Sequence, residues 1–128
     1  MAGSNTVTTA DKGGNISEYS MAWTSDGSGN VSGNTFDIKR GVLVAVEYDP
    51  DGTDAPTANY DVTLNVTDST GADLLGGTGA NLSATATTRS KPLVNTSGEI
   101  YFEGGTVDLV VANAGAAKKG VVKLWVLG

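Results

Sequence analysis

Residues 60–68 have the sequence YDVTLNVTD, and this segment is the clearest indication of the fold. Val62, Leu64 and Val66 alternate with polar residues, which is the period-two pattern of a strand with one buried face and one solvated face. Valine and threonine are stiff at χ1 and suit a pleated surface. The segment therefore predicts a β-strand.

Comparable segments recur along the chain at spacings near ten residues, and glycine, asparagine and aspartate fill the intervals between them. This spacing predicts an all-β fold, a β-sandwich or jelly roll of about eight short antiparallel strands. The other strand candidates are residues 16–24, 35–40, 42–48, 73–75, 89–94, 99–103, 106–112 and 121–127.

The chain divides into two parts by sequence pattern. Residues 1–15 are small and polar with no sustained period, which predicts a flexible N-terminal arm that is disordered alone or ordered against a neighbour. Residues 16–128 are expected to form a single β-sandwich domain, since no proline-rich linker, charge run or shift in composition marks a second one. The first residues also lack the basic and apolar regions of a signal peptide, so we expect synthesis in the cytoplasm.

The composition argues against several classes of function. The 128 residues include no histidine and no cysteine, which excludes Ser-His-Asp and Cys-His catalysis, thiolate nucleophiles, disulfides and ordinary zinc sites. The net charge of −6 disfavours binding to nucleic acid and to anionic membranes. We therefore expect a protein that is not an enzyme and needs no cofactor, with neither nucleic acid nor membrane as a partner.

Residues 49–54, with the sequence DPDGTD, hold three carboxylates at Asp49, Asp51 and Asp54. Oxygen ligands suit a hard cation, but the glycine and the twelfth position do not match an EF-hand loop. Aspartate, proline and glycine also favour turns for conformational reasons alone. A plain turn is the simpler interpretation, and cation binding stays open.

Four large side chains lie on two strand candidates: Tyr19, Met21 and Trp23 on the first and Trp125 on the last. Exposed aromatic residues mark protein interfaces or carbohydrate platforms, whereas buried ones are ordinary core. Trp125 alternates with valine and leucine, so both faces of the last strand are partly apolar. Core packing is the simpler interpretation. The alternative with a functional meaning is a protein interface formed by these four residues.

The order of segments resembles the small structural proteins that tailed bacteriophages encode near the major capsid gene. The resemblance lies in the polar arm, in residues 20–34 (SMAWTSDGSGNVSGN), in the strand at 60–66, in the Gly/Asn/Ala segment 75–82 and in the valine-rich ending 105–128. It implies a virion component on the capsid surface, namely a capsid decoration or cement protein that binds the major capsid protein. It also implies a homo-oligomer, expected to be a homotrimer, but carries over no functional residue.

Two other functions stay open at this stage. One is a tail or tail-fibre accessory protein, which is still structural but lies elsewhere on the virion. The other is a carbohydrate-binding β-sandwich module that uses Trp23 or Trp125 as a stacking platform.

Overall fold

The computed structural model describes residues 3–68, 71–94 and 98–128. Within these ranges the chain forms eleven strands and no helix, so it has no helix able to cross a membrane, and the predicted all-β class is confirmed. The strands are β1 (Ser4–Asp11), β2 (Ile16–Thr24), β3 (Thr35–Ile38), β4 (Gly41–Pro50), β5 (Asp61–Val66), β6 (Thr88–Ser90), β7 (Leu93–Val94), β8 (Gly98–Glu99), β9 (Tyr101–Phe102), β10 (Gly105–Ala112) and β11 (Lys119–Leu127).

The strands form antiparallel sheets. The large sheet has the order β1-β2-β11-β4-β6, and β9 also pairs with β4. A second sheet has the order β3-β10-β5, and β7 and β8 form a separate two-stranded ladder. The last strand of the chain therefore lies in the middle of the large sheet, between β2 and β4. Most of these pairings join segments that are distant in sequence, so the large sheet needs most of the chain to be in place.

One hydrophobic cluster joins the buried faces of both sheets. Met21, Leu43 and Leu124 come from the large sheet, and Leu64 and Leu109 come from the second sheet; all five have no exposed surface. Each lies on a strand whose alternate residues face outward, as the period-two pattern predicts. The sandwich or jelly-roll arrangement within the all-β class stays a prediction.

The N-terminal segment differs from the predicted flexible arm. Ser4–Asp11 is a strand that pairs with β2 along its whole length, from Ser4 opposite Thr24 to Asp11 opposite Ser17. The reason is local: Gly13, Gly14 and Asn15 all have positive φ, which lets the chain reverse tightly between β1 and β2. Threonine and valine in β1 then suit a pleated strand. Residues 1 and 2 lie outside the described residues.

Most of the remaining strand predictions hold with shifts at their ends, and three of them differ more. The segment 16–24 matches β2, whereas the segment 99–103 divides into β8 and β9 around Ile100. The predicted strand at 73–75 is reduced to one bridge between Asp73 and Asn65. The segment 89–94 divides into β6 and β7 around Pro92, because proline has no N–H to donate to a ladder.

Candidate interaction surface

Three of the four predicted interface residues are core residues. Tyr19, Met21 and Trp23 are at most 3% exposed. The indole of Trp23 packs against the ring of Tyr60 with 5.7 Å between centroids, and the Tyr19 hydroxyl accepts a hydrogen bond from the Lys39 backbone N–H at 2.9 Å. These side chains point into the protein because β2 presents them to the second sheet. In this chain they form no surface that could contact a partner.

Trp125 lies on the opposite, outer face of the large sheet and is half-buried. Its paired neighbours are Glu18 on β2 and Ala45 on β4. The guanidinium carbon of Arg89 lies over the indole, 5.6 Å from the ring centroid, which is within the range of a cation–π contact.

Arg89 also forms an ion pair with Glu47, its paired neighbour on β4. Glu47 is only 8% exposed, although it lies on the outer face. Lys123 is paired with Glu47 from the other side, on β11. One guanidinium thus connects the indole to a largely covered carboxylate. We call Trp125, Arg89, Glu47, Asp49 and Lys123 the outer-face patch.

The two carboxyl groups of the patch shift each other's pKa in opposite directions. Glu47 and Asp49 lie two residues apart on β4 and are hydrogen bonded. The hydrogen bond from Asp49, and next that from Arg89, lower the pKa of Glu47. Burial, and next the hydrogen bond to Glu47, raise the pKa of Asp49. Asp49 therefore keeps its proton longer, and the Thr87 hydroxyl donates a hydrogen bond to it at 2.8 Å.

The aspartates of residues 49–54 do not converge. Asp51 accepts hydrogen bonds from the backbone N–H groups of Thr53 and Asp54, which lower its pKa and form an ordinary turn. Asp54 faces Lys119 at 3.8 Å, whereas Asp49 belongs to the outer-face patch. In the described part of the chain, no group of three acidic side chains is placed to hold a metal ion. The arrangement agrees with the turn interpretation.

A second concave surface lies outside the outer-face patch, and the sequence pattern did not indicate it. Its volume is about 330 Å³, and its floor includes the buried side chains of Leu74, Ile100 and Phe102. Tyr101 stands at its side with 63% of its surface exposed. The alternation of residues 99–103 places Tyr101 on the face opposite Ile100 and Phe102, but it gives no indication of a concave surface beside it. We call it the Tyr101 groove.

Comparison with protein-family models, with curated proteins and with solved structures finds no match for this chain.

Proposed function

We propose that the protein is a structural component of a phage virion, a capsid decoration protein that binds the major capsid protein through the outer-face patch. The resemblance of segment order to small phage structural proteins supports the class of function. One observation supports the outer-face patch as the binding surface: Trp125 is half-buried on the outer face of the large sheet, beside Arg89. Tryptophan and arginine are the residues most enriched at the energetic centres of protein interfaces.

The outer face suits a broad and shallow contact rather than a ligand pocket. Its central strand β11 is held on both sides by long neighbours, β2 and β4, so the patch is supported by a rigid sheet. A capsid offers many identical binding sites, so an oligomer that makes several shallow contacts at once can bind tightly. A decoration protein binds in this way and needs no deep binding pocket.

Carbohydrate binding is the competing function, and one contact weighs against it. A sugar ring stacks on the open face of an aromatic side chain, but the guanidinium of Arg89 already lies over the indole of Trp125. Trp23 is no platform either, since it is 2% exposed. Decoration through a protein contact is therefore the function that the geometry supports better.

The test is co-sedimentation of the purified protein with phage heads that lack it. We expect the native chain to sediment with heads and Trp125→Ala to lose most of its occupancy. Tyr101→Ala is the matched control, because it removes an exposed aromatic side chain that lies outside the outer-face patch. Circular dichroism and the melting temperature establish that each variant is folded. Absence of the native chain from the head fraction would overturn the function, and loss of binding in Tyr101→Ala alone would overturn the surface.

A further inference from the structure

The sheet edges of this protein are not equally protected. The edge strand β6 has three residues and carries Arg89, and the edge strand β3 has four residues and is followed by Lys39 and Arg40. Short length and positive charge are the features by which natural proteins prevent edge-to-edge pairing.

The remaining edge of the second sheet is covered by the chain itself. Residues 72–82 run along β5 and make backbone hydrogen bonds to it, among them Leu74 N–H to the Leu64 carbonyl at 2.8 Å and Val62 N–H to the Gly79 carbonyl at 2.7 Å. Bridges at Asp73 and Leu82 complete the cover. This edge has no room for another strand.

β1 is the exception. It has eight residues, and among residues 3–68, 71–94 and 98–128 no strand pairs with its outer edge. Residues 4–10 (SNTVTTA) contain no charge, proline or glycine, and Thr6, Val7, Thr8 and Thr9 all favour an extended backbone. The longest sheet edge of the protein is thus its least protected one.

A second observation on β1 also indicates a missing partner. The side-chain amide of Asn5 is buried, yet neither its nitrogen nor its oxygen has a hydrogen-bond partner within the described part of the chain. A buried amide without a hydrogen-bond partner destabilises a fold, because it has lost its contacts with water and gained none in exchange. Asn5 is paired with Trp23, so it lies on the inner face, at the edge of the sheet.

We propose that β1 pairs antiparallel with β1 of a second copy of this chain, across a two-fold axis at Val7. With the axis at this residue, the inner faces of the two sheets lie on the same side. Thr6 then lies opposite Thr8 of the second copy, and Asn5 lies opposite Thr9. Opposite side chains in such a pair are about 4.5–5.5 Å apart at Cβ, so the Thr9 hydroxyl is placed to pair with the Asn5 amide after a side-chain rotation.

Charge also permits this register. Asp11 is the only charged residue of β1, and it lies opposite Gly3 of the second copy, so no like charges meet. Val7 lies opposite its own copy, and two β-branched side chains make a favourable cross-strand pair. The pairing does not depend on the proposed capsid function. It gives a dimer, whereas the resemblance to phage proteins implies a trimer, so the two can be separated by mass.

The direct test uses the absence of cysteine from the natural chain. Val7→Cys places two thiols opposite each other at the two-fold axis, and oxidised glutathione should convert most of the protein to a disulfide-linked dimer. Ala10→Cys is the control on the same strand. In the proposed register its two copies are six residues apart along the ladder, about 20 Å, which is too far for a disulfide. Equal cross-linking of both variants, or none in either, would overturn the proposal.

Charge variants test the same strand register without a cross-linking reaction. The double variant Thr6→Lys with Thr8→Lys places lysines opposite each other, and we expect self-association to weaken roughly tenfold or more, since like charges that lie opposite each other oppose strand pairing. Thr6→Lys with Thr8→Glu places opposite charges there and should restore it. Ala22→Lys, exposed on β2 one strand from the edge, is the matched control. Light scattering over a concentration series measures each mass. A native chain that is monomeric throughout, or trimeric, contradicts the pairing.

Discussion

Gly120 lies directly opposite Trp23, and the indole ring fills the space that a side chain at residue 120 would need. A Cβ at Gly120 would be 2.5 Å from Cζ2 of Trp23 and 3.0 Å from its Nε1. Since Trp23 is buried against Tyr60, the ring cannot move without disturbing the core. A residue without a side chain in the central strand is thus what admits the largest side chain of the core.

Gly120→Ala should lower the free energy of unfolding by about 1–3 kcal/mol, the usual cost of overpacking a core. Gly52→Ala is the control, because a Cβ there would meet nothing within 4 Å and the residue does not need a positive φ. Urea denaturation of both variants measures the difference. Equal stability of Gly120→Ala and the native chain would show that Trp23 is not held in place by this contact.

Asp49→Asn should raise stability at neutral pH by about 0.5–1 kcal/mol, because the amide keeps a hydrogen-bond donor toward Glu47 without a second negative charge. Burial raises the pKa of Asp49, so its contribution is present at low pH and is lost as the pH rises through the folded-state pKa. Asparagine at residue 49 does not titrate, so the variant keeps its contribution to stability at every pH. The advantage should therefore disappear below the ordinary pKa of aspartate, and an advantage that persists at pH 3 would contradict the raised pKa of Asp49.

Glu47→Gln should show the opposite dependence on pH. The pKa of Glu47 is lowered, so its stabilising contribution is present at neutral pH and is lost as the pH falls through the folded-state pKa. We expect the free energy of unfolding to fall by about 1 kcal/mol at pH 7. The expected loss is small because the Arg89 partner is largely exposed and solvent screens the ion pair. The loss should shrink in acid. Chemical denaturation at pH 7 and pH 3 measures both values.

Tyr60→Phe should reduce the alkaline sensitivity of the fold. Burial, and next the charge of Asp49, raise the pKa of Tyr60 to about 12. Since an unfolded tyrosine titrates near pH 10, the native chain loses stability as the pH rises from about 10 to 12. The variant has no hydroxyl to ionise at residue 60, so its stability should fall less over this interval. An identical decline in both chains would contradict the burial of this hydroxyl.

Arg89→Ala should expose the indole of Trp125. Trp23 is 2% exposed, so acrylamide quenching of tryptophan fluorescence reports mainly on Trp125. We expect a larger quenching constant in the variant, because the guanidinium no longer covers the ring. Lys91→Ala is the control, since that lysine pairs with Glu99. Unchanged quenching in Arg89→Ala would mean that the ring is already open and would return carbohydrate stacking to consideration.

The sequence predicts where the strands lie along the chain better than it predicts which strands pair with each other. The alternation in β2 and β5 identifies both strands, because the pattern is local. The pairing of the N-terminal β1 with β2, and the central place of the C-terminal β11, depend on contacts distant in sequence. β1 is hidden for a further reason: its inner face carries Asn5 and Thr9 beside Val7, so apolar and polar residues do not alternate.

The candidate site is predicted only in part for the same reason. Alternation shows that Tyr19, Met21 and Trp23 share a face of β2 and that Trp125 lies opposite the valines and leucine of β11. It cannot show which face meets the second sheet. Arg89 reaches Trp125 and Glu47 only through the pairing of β6 with β4, so no local pattern joins these residues. Tyr101 alternates with the buried Ile100 and Phe102, so its exposure follows from the local pattern, whereas the concave surface beside it does not.

We propose above that this chain is attached to phage heads. The most direct measurement is the molar ratio of this chain to the major capsid protein, by quantitative mass spectrometry, in purified virions and in heads that have no tails. A decoration protein should give a fixed ratio that is the same in both particles. A chain found only with tails, or with neither particle, would contradict it.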